Sequence, residues 1–547
     1  MVALAIGLPA ALAAGARSFG LPHSDDFTFS ATAINYLRTS GFHLGGDEQM
    51  VLIGHVLWAQ PFLRLFGAGP NALHLAGLVA AGLGLASCFL ILRRLGHPRF
   101  ALLGTSCVAL LPGFALLAGT FMTDVTAFAA QMVCLALGLA ALDRSGSTHI
   151  VLLASSSVFG VAAFSVRQTA IPALAAVAVA AIWQSAMLRR AWRAATVDLG
   201  VIAGGFIAIV AIALWRFGLQ GQGQPPVAGP TVGNLFAVLA ALSTLALFLS
   251  PLSWAAARSV IARPGGRGAA VVGAVLTLPW LILPIHGRDL LLGNLFTRRG
   301  ANDGVIGGLK EDIFPSLAWV ALQMVAVFGL LLLFTWAAQA AWAALPRRRR
   351  LIAGEGDPAT VLLIVFTVLA FAAAVIPALR GANIFDRYLW AAGAGLTGIL
   401  VRALPDERVP QRRIGAFLLL SILVVATGIS ITESISFDKA RWRAGQQAVA
   451  SNVPAGLVDA GYEWTGHHAK RPLTRERPVV VWTAPTWWSR AYAAGLPCVV
   501  VMGSPLDDAR YALERTHSYD PPLSPRRQLL VYRLIEPCDS GAALDPP

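Results

Sequence analysis

The sequence predicts a polytopic α-helical membrane protein of about thirteen spans with a small soluble α/β domain at its C-terminus. Three observations carry that expectation. Of the 547 residues, 56% are hydrophobic and only 13% charged, where a soluble domain carries about 25% charged residues. Apolar runs of roughly 17–25 residues, the length that crosses a bilayer, recur up to about residue 432. Beyond that point the runs shorten to strand length and polar residues return.

Taken in order, the apolar segments fall at 2–16, 72–92, 100–119, 125–142, 149–166, 170–187, 198–217, 233–250, 269–285, 316–343, 359–379, 388–402 and 414–432. The first is short and lacks a small-residue cleavage site before the acids that follow, so it is expected to be a retained span and not a signal peptide. Alternate loops concentrate arginine: Arg93, Arg94 and Arg99; Arg144; Arg189, Arg190 and Arg193; Arg258, Arg263 and Arg267; Arg347 to Arg350; Arg402, Arg408, Arg412 and Arg413. Against these stand the acids Asp143, Asp198, Glu355, Asp357, Asp406 and Glu407. By the positive-inside rule this face is cytoplasmic, which puts the N-terminus inside and, with an odd number of spans, the tail outside. The net charge of +14 is therefore a topology signal and not a nucleic-acid footprint. Nearly all the basic residues are arginine, as in a high-GC bacterial genome.

The opposite face collects the chemically suggestive residues. Its first loop, about 17–71, carries Phe27, Ala31, Ile34 and Leu37 at near-helical spacing, and a second apolar helix is expected over Val51 to Phe66; both would lie along the membrane surface. A second long loop, about 287–315, holds Arg288, Arg298, Arg299 and Lys310 among glycines. The domains are thus expected as a membrane core over 1–432 and an extracytoplasmic α/β domain over 433–547, with a helix from about Phe437 to Ala450 and strands at Pro478 to Trp482, Cys498 to Met502 and Leu529 to Leu534. Cys88, Cys107 and Cys134 lie in apolar runs without metal spacing. Cys498 and Cys538 are free to pair if the tail is outside the cytoplasm.

Asp25 and Asp26 stand just past the first segment, where unpaired acids are seldom placed without a use. Adjacent residues point about 100° apart on a helix. One is therefore expected to act as a general base while the other caps the following helix or binds a metal. Asp124, in Phe121-Met122-Thr123-Asp124, interrupts apolar sequence and suits both a helix cap and a shared role with Asp25. Arg167, in Phe164-Ser165-Val166-Arg167, offers a bidentate phosphate ligand or an interfacial anchor. Asn383-Ile384-Phe385-Asp386-Arg387-Tyr388 sets an ion-pair candidate and an aromatic at the head of the twelfth segment. Arg298 and Arg299 are further phosphate candidates, and His55 sits in an apolar stretch as ligand or structural histidine. In the tail, Gly461-Tyr462-Glu463-Trp464 combines aromatics with an acid, a composition suited to sugar stacking or to loop packing.

Asp25-Asp26, Met122-Thr123-Asp124, Val166-Arg167-Gln168-Thr169 and Asp386-Arg387-Tyr388, in that order and on one face over roughly residues 1–430, resemble the GT-C type membrane glycosyltransferases. That class includes protein O-mannosyltransferases and aminoarabinose transferases. The resemblance implies a sugar donor carried on polyprenyl phosphate and used at the outer face of the plasma membrane. It makes Asp25 the base or acceptor-binding acid with Asp26 and Asp124 beside it, and makes Arg167 and Arg387 ligands of the lipid phosphate, joined by Arg298 and Arg299. His55, Tyr388, Glu463 and Trp464 would face acceptor or sugar. A divalent cation on Asp25 and Asp124 is left open, because the family contains metal-dependent and metal-independent members. The acceptor, whether glycan, lipid or protein, is undetermined. One departure is that no basic residue follows Asp26 closely except Arg38. No glycine fingerprint of a dinucleotide site is present. The main rival is a transporter or flippase of a lipid-linked sugar, which would place its polar groups near the bilayer midplane in repeated halves. A wall-polymer-binding assembly protein is a second rival.

Overall fold

A computed structural model describes residues 19–42, 50–187, 192–220, 231–262, 265–281, 289–301, 311–344, 357–381, 384–404, 410–469, 496–536 and 538. The expected first segment (2–16), the Pro478 to Trp482 strand, Arg288 and Lys310 lie outside the described residues.

Two helices precede the membrane bundle, α1 (Asp26–Thr39) and α2 (Ile53–Phe66). The buried face of α1 is Phe27, Phe29, Thr32 and Ala33, and Ala31 is exposed. The bundle then runs α3 (Pro70–Leu95), α4 (Pro98–Leu110), α5 (Thr123–Leu142), α6 (Gly146–Val166), α7 (Pro172–Met187), α8 (Trp192–Gln220), α9 (Val232–Ile261), α10 (Gly266–Thr277), α11 (Ser316–Ala344), α12 (Pro358–Leu379), α13 (Trp390–Ala403) and α14 (Pro410–Ala450). Ten of the twelve expected segments from 72–92 onward fall on helix; the 100–119 segment breaks after Leu110 at the Pro112 turn, followed only by a short helical turn at Phe114–Leu117, and the 269–285 segment is described to residue 281, as a helix ending in a 3-10 turn. Among the described residues nine helices are long and apolar enough to cross a membrane; α4, α10 and α13 are shorter. The chain is a multi-pass membrane protein.

Helix α14 corrects one expectation. The helix expected to start near Phe437 is the continuation of the last span, because Thr432 to Lys439 contains no proline or glycine to break it. At 1.5 Å per residue its 41 residues span about 60 Å, twice the hydrocarbon thickness of about 30 Å. One half therefore reaches beyond the bilayer and becomes the core of the tail. Phe437, Ala440, Ala444 and Ala448 pack there against Trp464, Val499, Val501 and Val531.

The tail sheet has strand order β1-β2-β4-β3, with β1 (Val458–Asp459) parallel to β2 (Val499–Met502) and β4 (Arg527–Leu534) antiparallel to β2 and β3 (Tyr511–Tyr519). A short helix, α15 (Tyr462–His467), leaves β1 through Gly461. That glycine has φ +101°, and a Cβ there would strike the Arg441 guanidinium, so no other residue fits. Cys498 and Cys538 form a disulfide.

Candidate active site

The acid pair divides by environment. Asp25 occupies the N-cap position of α1, yet its side chain makes no capping bond. Its Oδ1 accepts from the Tyr462 hydroxyl at 2.9 Å, and its Oδ2 lies 3.4 Å from the Arg387 guanidinium. The Asp25 side chain keeps 28% of its surface exposed. Asp26 points the other way, 1% exposed, with Oδ2 at 2.7 Å from His74 Nε2 and Oδ1 accepting from Ser30 at 2.8 Å. Burial works to raise its pKa, but the His74 imidazole and the Ser30 hydroxyl outweigh it and hold the carboxyl below its ordinary value. Buried at 1% exposure with both oxygens engaged, Asp26 is out of an acceptor's reach, unlike its expected place among the reacting groups.

Asp124 is not the cap of α5 either: Met122 takes that position, and the Asp124 carboxylate in the first turn pairs with Arg167. Its second oxygen, buried and without a hydrogen-bond partner, lies 3.8 Å from Arg387 Nε, which is likewise unpartnered. Arg167, at the extended residue that ends α6, donates to Thr123 Oγ1 at 3.3 Å and lies 5.0 Å over the Tyr388 ring. Arg387 is the second residue of a 3-10 turn (Asp386–Leu389) and stacks on Phe385 at 5.0 Å. Burial opposes its charge, but Asp124 and Asp25 hold the guanidinium more firmly protonated than free arginine. Two acids and two arginines from four separate stretches of chain thus form one chain of charge: Asp25, Arg387, Asp124, Arg167.

Asp386 does not pair with its neighbour as expected. Its Oδ2 accepts the backbone N–H groups of Leu295 at 2.8 Å and Phe296 at 3.1 Å, which ties the 289–301 loop to the turn carrying Arg387. Burial raises its pKa to about 6 against those bonds. Nothing in the sequence distinguished this acid as a loop anchor.

Asp124, Arg167 and Arg387 line a small cleft, and Asp25 stands just outside it on the far side of Arg387. Asp124, Gln131, Arg167, Thr169, Arg387 and Tyr388 supply its polar lining, and Ala127, Phe128, Ala370, Ala373, Ala374 and Ala391 its apolar wall, drawn from α5, α12 and α13. Trp390 closes the packing beneath, with its indole N–H on the Pro112 carbonyl at 2.8 Å and its ring against Phe114 at 4.9 Å.

Five expected site residues lie elsewhere. Arg298 and Arg299 both pair with Asp312, at 2.8 and 3.4 Å, and do not line the cleft. His55 is fully buried, stacked on Phe121 at 3.8 Å and bonded to Thr126 and the Phe121 carbonyl. Burial pushes its pKa down to about 4, so it is a neutral strut under the turn that carries Asp124. Glu463 is 1% exposed: Oε1 accepts the Ser24 N–H at 3.0 Å and Oε2 pairs with Arg441 at 2.9 Å. Trp464 is 2% exposed in the tail core. Neither has a face to offer a sugar, which corrects that expectation, while Tyr388 does line the cleft.

These contacts belong to a second, closed network. His23 Nδ1 meets Asp438 Oδ2 at 2.8 Å, Asp438 Oδ1 meets Arg441 at 2.5 Å, and Arg441 meets Glu463. It fastens residues 23–25 to α14 and α15. Ser24 stands in the left-handed region at φ +56°, a conformation held by the Glu463 bond to its N–H. Asp25 is the next residue.

Among the described residues, Asp25 and Asp124 do not make a site for a divalent cation. Among the described residues no group of three or more His, Cys, Asp or Glu side chains gathers. Asp25 and Asp124 share the Arg387 guanidinium between them.

No family model matches the sequence, and no curated protein matches it. Among solved structures the chain is similar to ArnT from Cupriavidus metallidurans bound to undecaprenyl phosphate, at 13% identity and TM-score 0.38, covering 98% of this chain and 99% of that one. The apo state of the same protein gives 14% identity, TM-score 0.39 and coverages of 96% and 97%. It is also similar to the archaeal oligosaccharyltransferase AglB from Archaeoglobus fulgidus, in complex with an inhibitory peptide and a dolichol-phosphate, at 13% identity and TM-score 0.42. That likeness covers 89% of this chain, which spans 63% of the archaeal one. Nothing below rests on these likenesses, whose TM-scores are below 0.5.

Proposed function

We propose that this chain transfers a sugar from a polyprenyl-phosphate donor to an envelope acceptor at the outer face of the plasma membrane, with Asp25 as the general base. The observation that carries the proposal is the chain Asp25–Arg387–Asp124–Arg167 beside a cleft walled by alanines from membrane helices. An apolar wall suits a prenyl tail entering from the bilayer, and arginine forks suit the phosphate at its head. Arg387 retains an unpartnered Nε donor, and Arg167 and Arg387 stack on Tyr388 and Phe385, which keeps both guanidinium planes fixed.

The reaction then balances as a single displacement. The acceptor hydroxyl attacks the anomeric carbon as Asp25 takes its proton, and the bond to the phosphate oxygen breaks. The departing polyprenyl phosphate keeps the electron pair, and Arg387 and Arg167 stabilise the charge that grows on it. Configuration at the anomeric carbon inverts. Asp124 holds both arginines in place and prevents them from repelling one another.

The test uses purified protein in detergent, radiolabelled polyprenyl-phosphate sugars and a crude envelope acceptor fraction, with and without EDTA. Transfer by the wild type that persists in EDTA and is lost in Asp25→Asn supports the reading. Donor binding without transfer under every acceptor, indifferent to Asp25→Asn, would replace it with a transporter of lipid-linked sugar.

A further inference from the structure

We infer that Tyr462 is a positioning residue for the transfer reaction, so that the C-terminal domain completes the active site by holding the base. The inference rests on the function proposed above and adds a role for the tail. Asp25 and Tyr462 are 437 residues apart in sequence, and the phenol donates to Asp25 Oδ1 at 2.9 Å.

Several independent features aim that hydroxyl. The Tyr462 ring packs edge-on against Phe27 at 5.1 Å, in the first turn of the helix whose N-cap position is Asp25. Gly466, on the same short helix, lies so close to the Phe27 ring that a Cβ would collide with it. Glu463, next to Tyr462, holds the N–H of Ser24, next to Asp25. Behind them Arg441 joins Glu463 to Asp438, and Asp438 joins His23. Residues 23–27 are thus gripped through backbone, ring and charge by one segment of the tail, and Tyr462 is where that grip meets the carboxylate assigned to chemistry.

Among the described residues the groups facing Asp25 are few. From the 386–389 turn comes Arg387, at 3.4 Å on Oδ2, with Asp124 beyond it; from the tail comes Tyr462 on Oδ1. Asp26 turns away to His74, and Glu463 turns away to Arg441 and Ser24. A carboxylate held at one oxygen by a phenol and at the other by a guanidinium has its plane fixed. A proton-accepting lone pair is then presented in one direction when the acceptor hydroxyl arrives. A hydrogen bond donated to the ionised form also favours that form.

The experiment measures kcat, donor KM and the pH dependence of kcat for the wild type, Tyr462→Phe and a form carrying 3-fluorotyrosine at position 462. Loss of the hydroxyl should lower kcat about tenfold with donor KM unchanged, and should move the acid limb of the kcat profile up by about one pH unit. The fluorophenol, a stronger donor of the same shape, should move that limb the opposite way. A merely structural tyrosine would shift the melting temperature and leave the limb in place. Wild-type kcat and an unmoved limb in Tyr462→Phe overturn the inference. If that variant does not fold, the fluorotyrosine form decides alone, and an unmoved limb there is equally fatal. Absence of transfer by the wild type would sink the function reading and this inference with it. Transfer that Asp25→Asn abolishes and Tyr462→Phe leaves untouched would sink this inference only.

Discussion

Two charged networks lie side by side in this protein, and they are built on opposite terms. In the closed one, His23, Asp438, Arg441 and Glu463 are each at most about 5% exposed in their side chains, and their charges are spent on one another. Asp26 with His74 and Ser30 is of the same kind. In the open one, Asp25 is 28% exposed, and Asp124, Arg167 and Arg387 line an apolar-walled cleft. Adjacent aspartates therefore serve different ends: Asp26 holds the loop and Asp25 uses it.

The sharpest way to break that distinction is to neutralise each acid in turn. Asp25→Asn should reduce transfer by roughly 10²- to 10⁴-fold, the usual worth of a general base, with the melting temperature unchanged. Asp26→Ala should do the reverse. Removing one partner of a buried pair costs about 3–5 kcal/mol of stability, because the His74 side is left uncompensated. A thermal melt in detergent beside a transfer assay reads both. Equal catalytic losses in two folded proteins would erase the difference between the networks.

The arginines sharpen it further. Arg387→Lys keeps the charge but loses the fork and the stacking on Phe385 and Tyr388. Donor KM should rise about tenfold, since a point charge cannot replace a bidentate contact to phosphate. Arg298→Lys, whose parent is paired with Asp312 and does not line the cleft, should leave donor KM within about twofold of the wild type. A comparable loss in the two variants would return the 289–301 loop to the phosphate site.

The open network was the legible one. Asp124 and Arg167 interrupt apolar sequence, and a charge inside or at the end of a span announces itself against that background. The closed network was hidden for the opposite reason. Asp438 and Arg441 sit at i and i+3 on a polar stretch of helix, a spacing shared by countless solvent-facing pairs. Only tertiary packing reveals that His23, from the other end of the chain, covers them. Tyr462 was passed over for Glu463 and Trp464 because composition marks an aromatic-acid cluster without saying which member faces the substrate. Strand β3 escaped notice because its residues, exposed and rich in charge, carry the pattern of an edge and not of a core. The β1 pairing covers two residues, too few for periodicity to register.

The smallest effect is the most specific to the closed network, because it is read through pH alone. Burial tends to lower the His23 pKa, but its bond to Asp438 and the nearby charges of Glu463 and Asp26 overcome that and raise it. A group whose folded pKa is raised lends stability that is complete below its ordinary value of 6.5 and is lost as pH climbs through the folded value. Asp26, lowered, behaves as the mirror image: its contribution is complete above 3.8 and lost as pH falls through the folded value. Between those two limits neither group changes its contribution, and the slopes that Asp386 and His55 impose there are common to the wild type and a His23 variant, so the His23 share is the alkaline decline in melting temperature that such a variant lacks. His23→Gln keeps a hydrogen-bonding side chain without a titrating one. It should melt lower than the wild type below pH 6.5 and lose the His23 share of the alkaline decline. Because Asp25 and Arg387 stand outside this pair, Asp25→Asn should keep the decline in full. A decline that persists in full in His23→Gln, or vanishes in Asp25→Asn, would show that the two networks titrate as one.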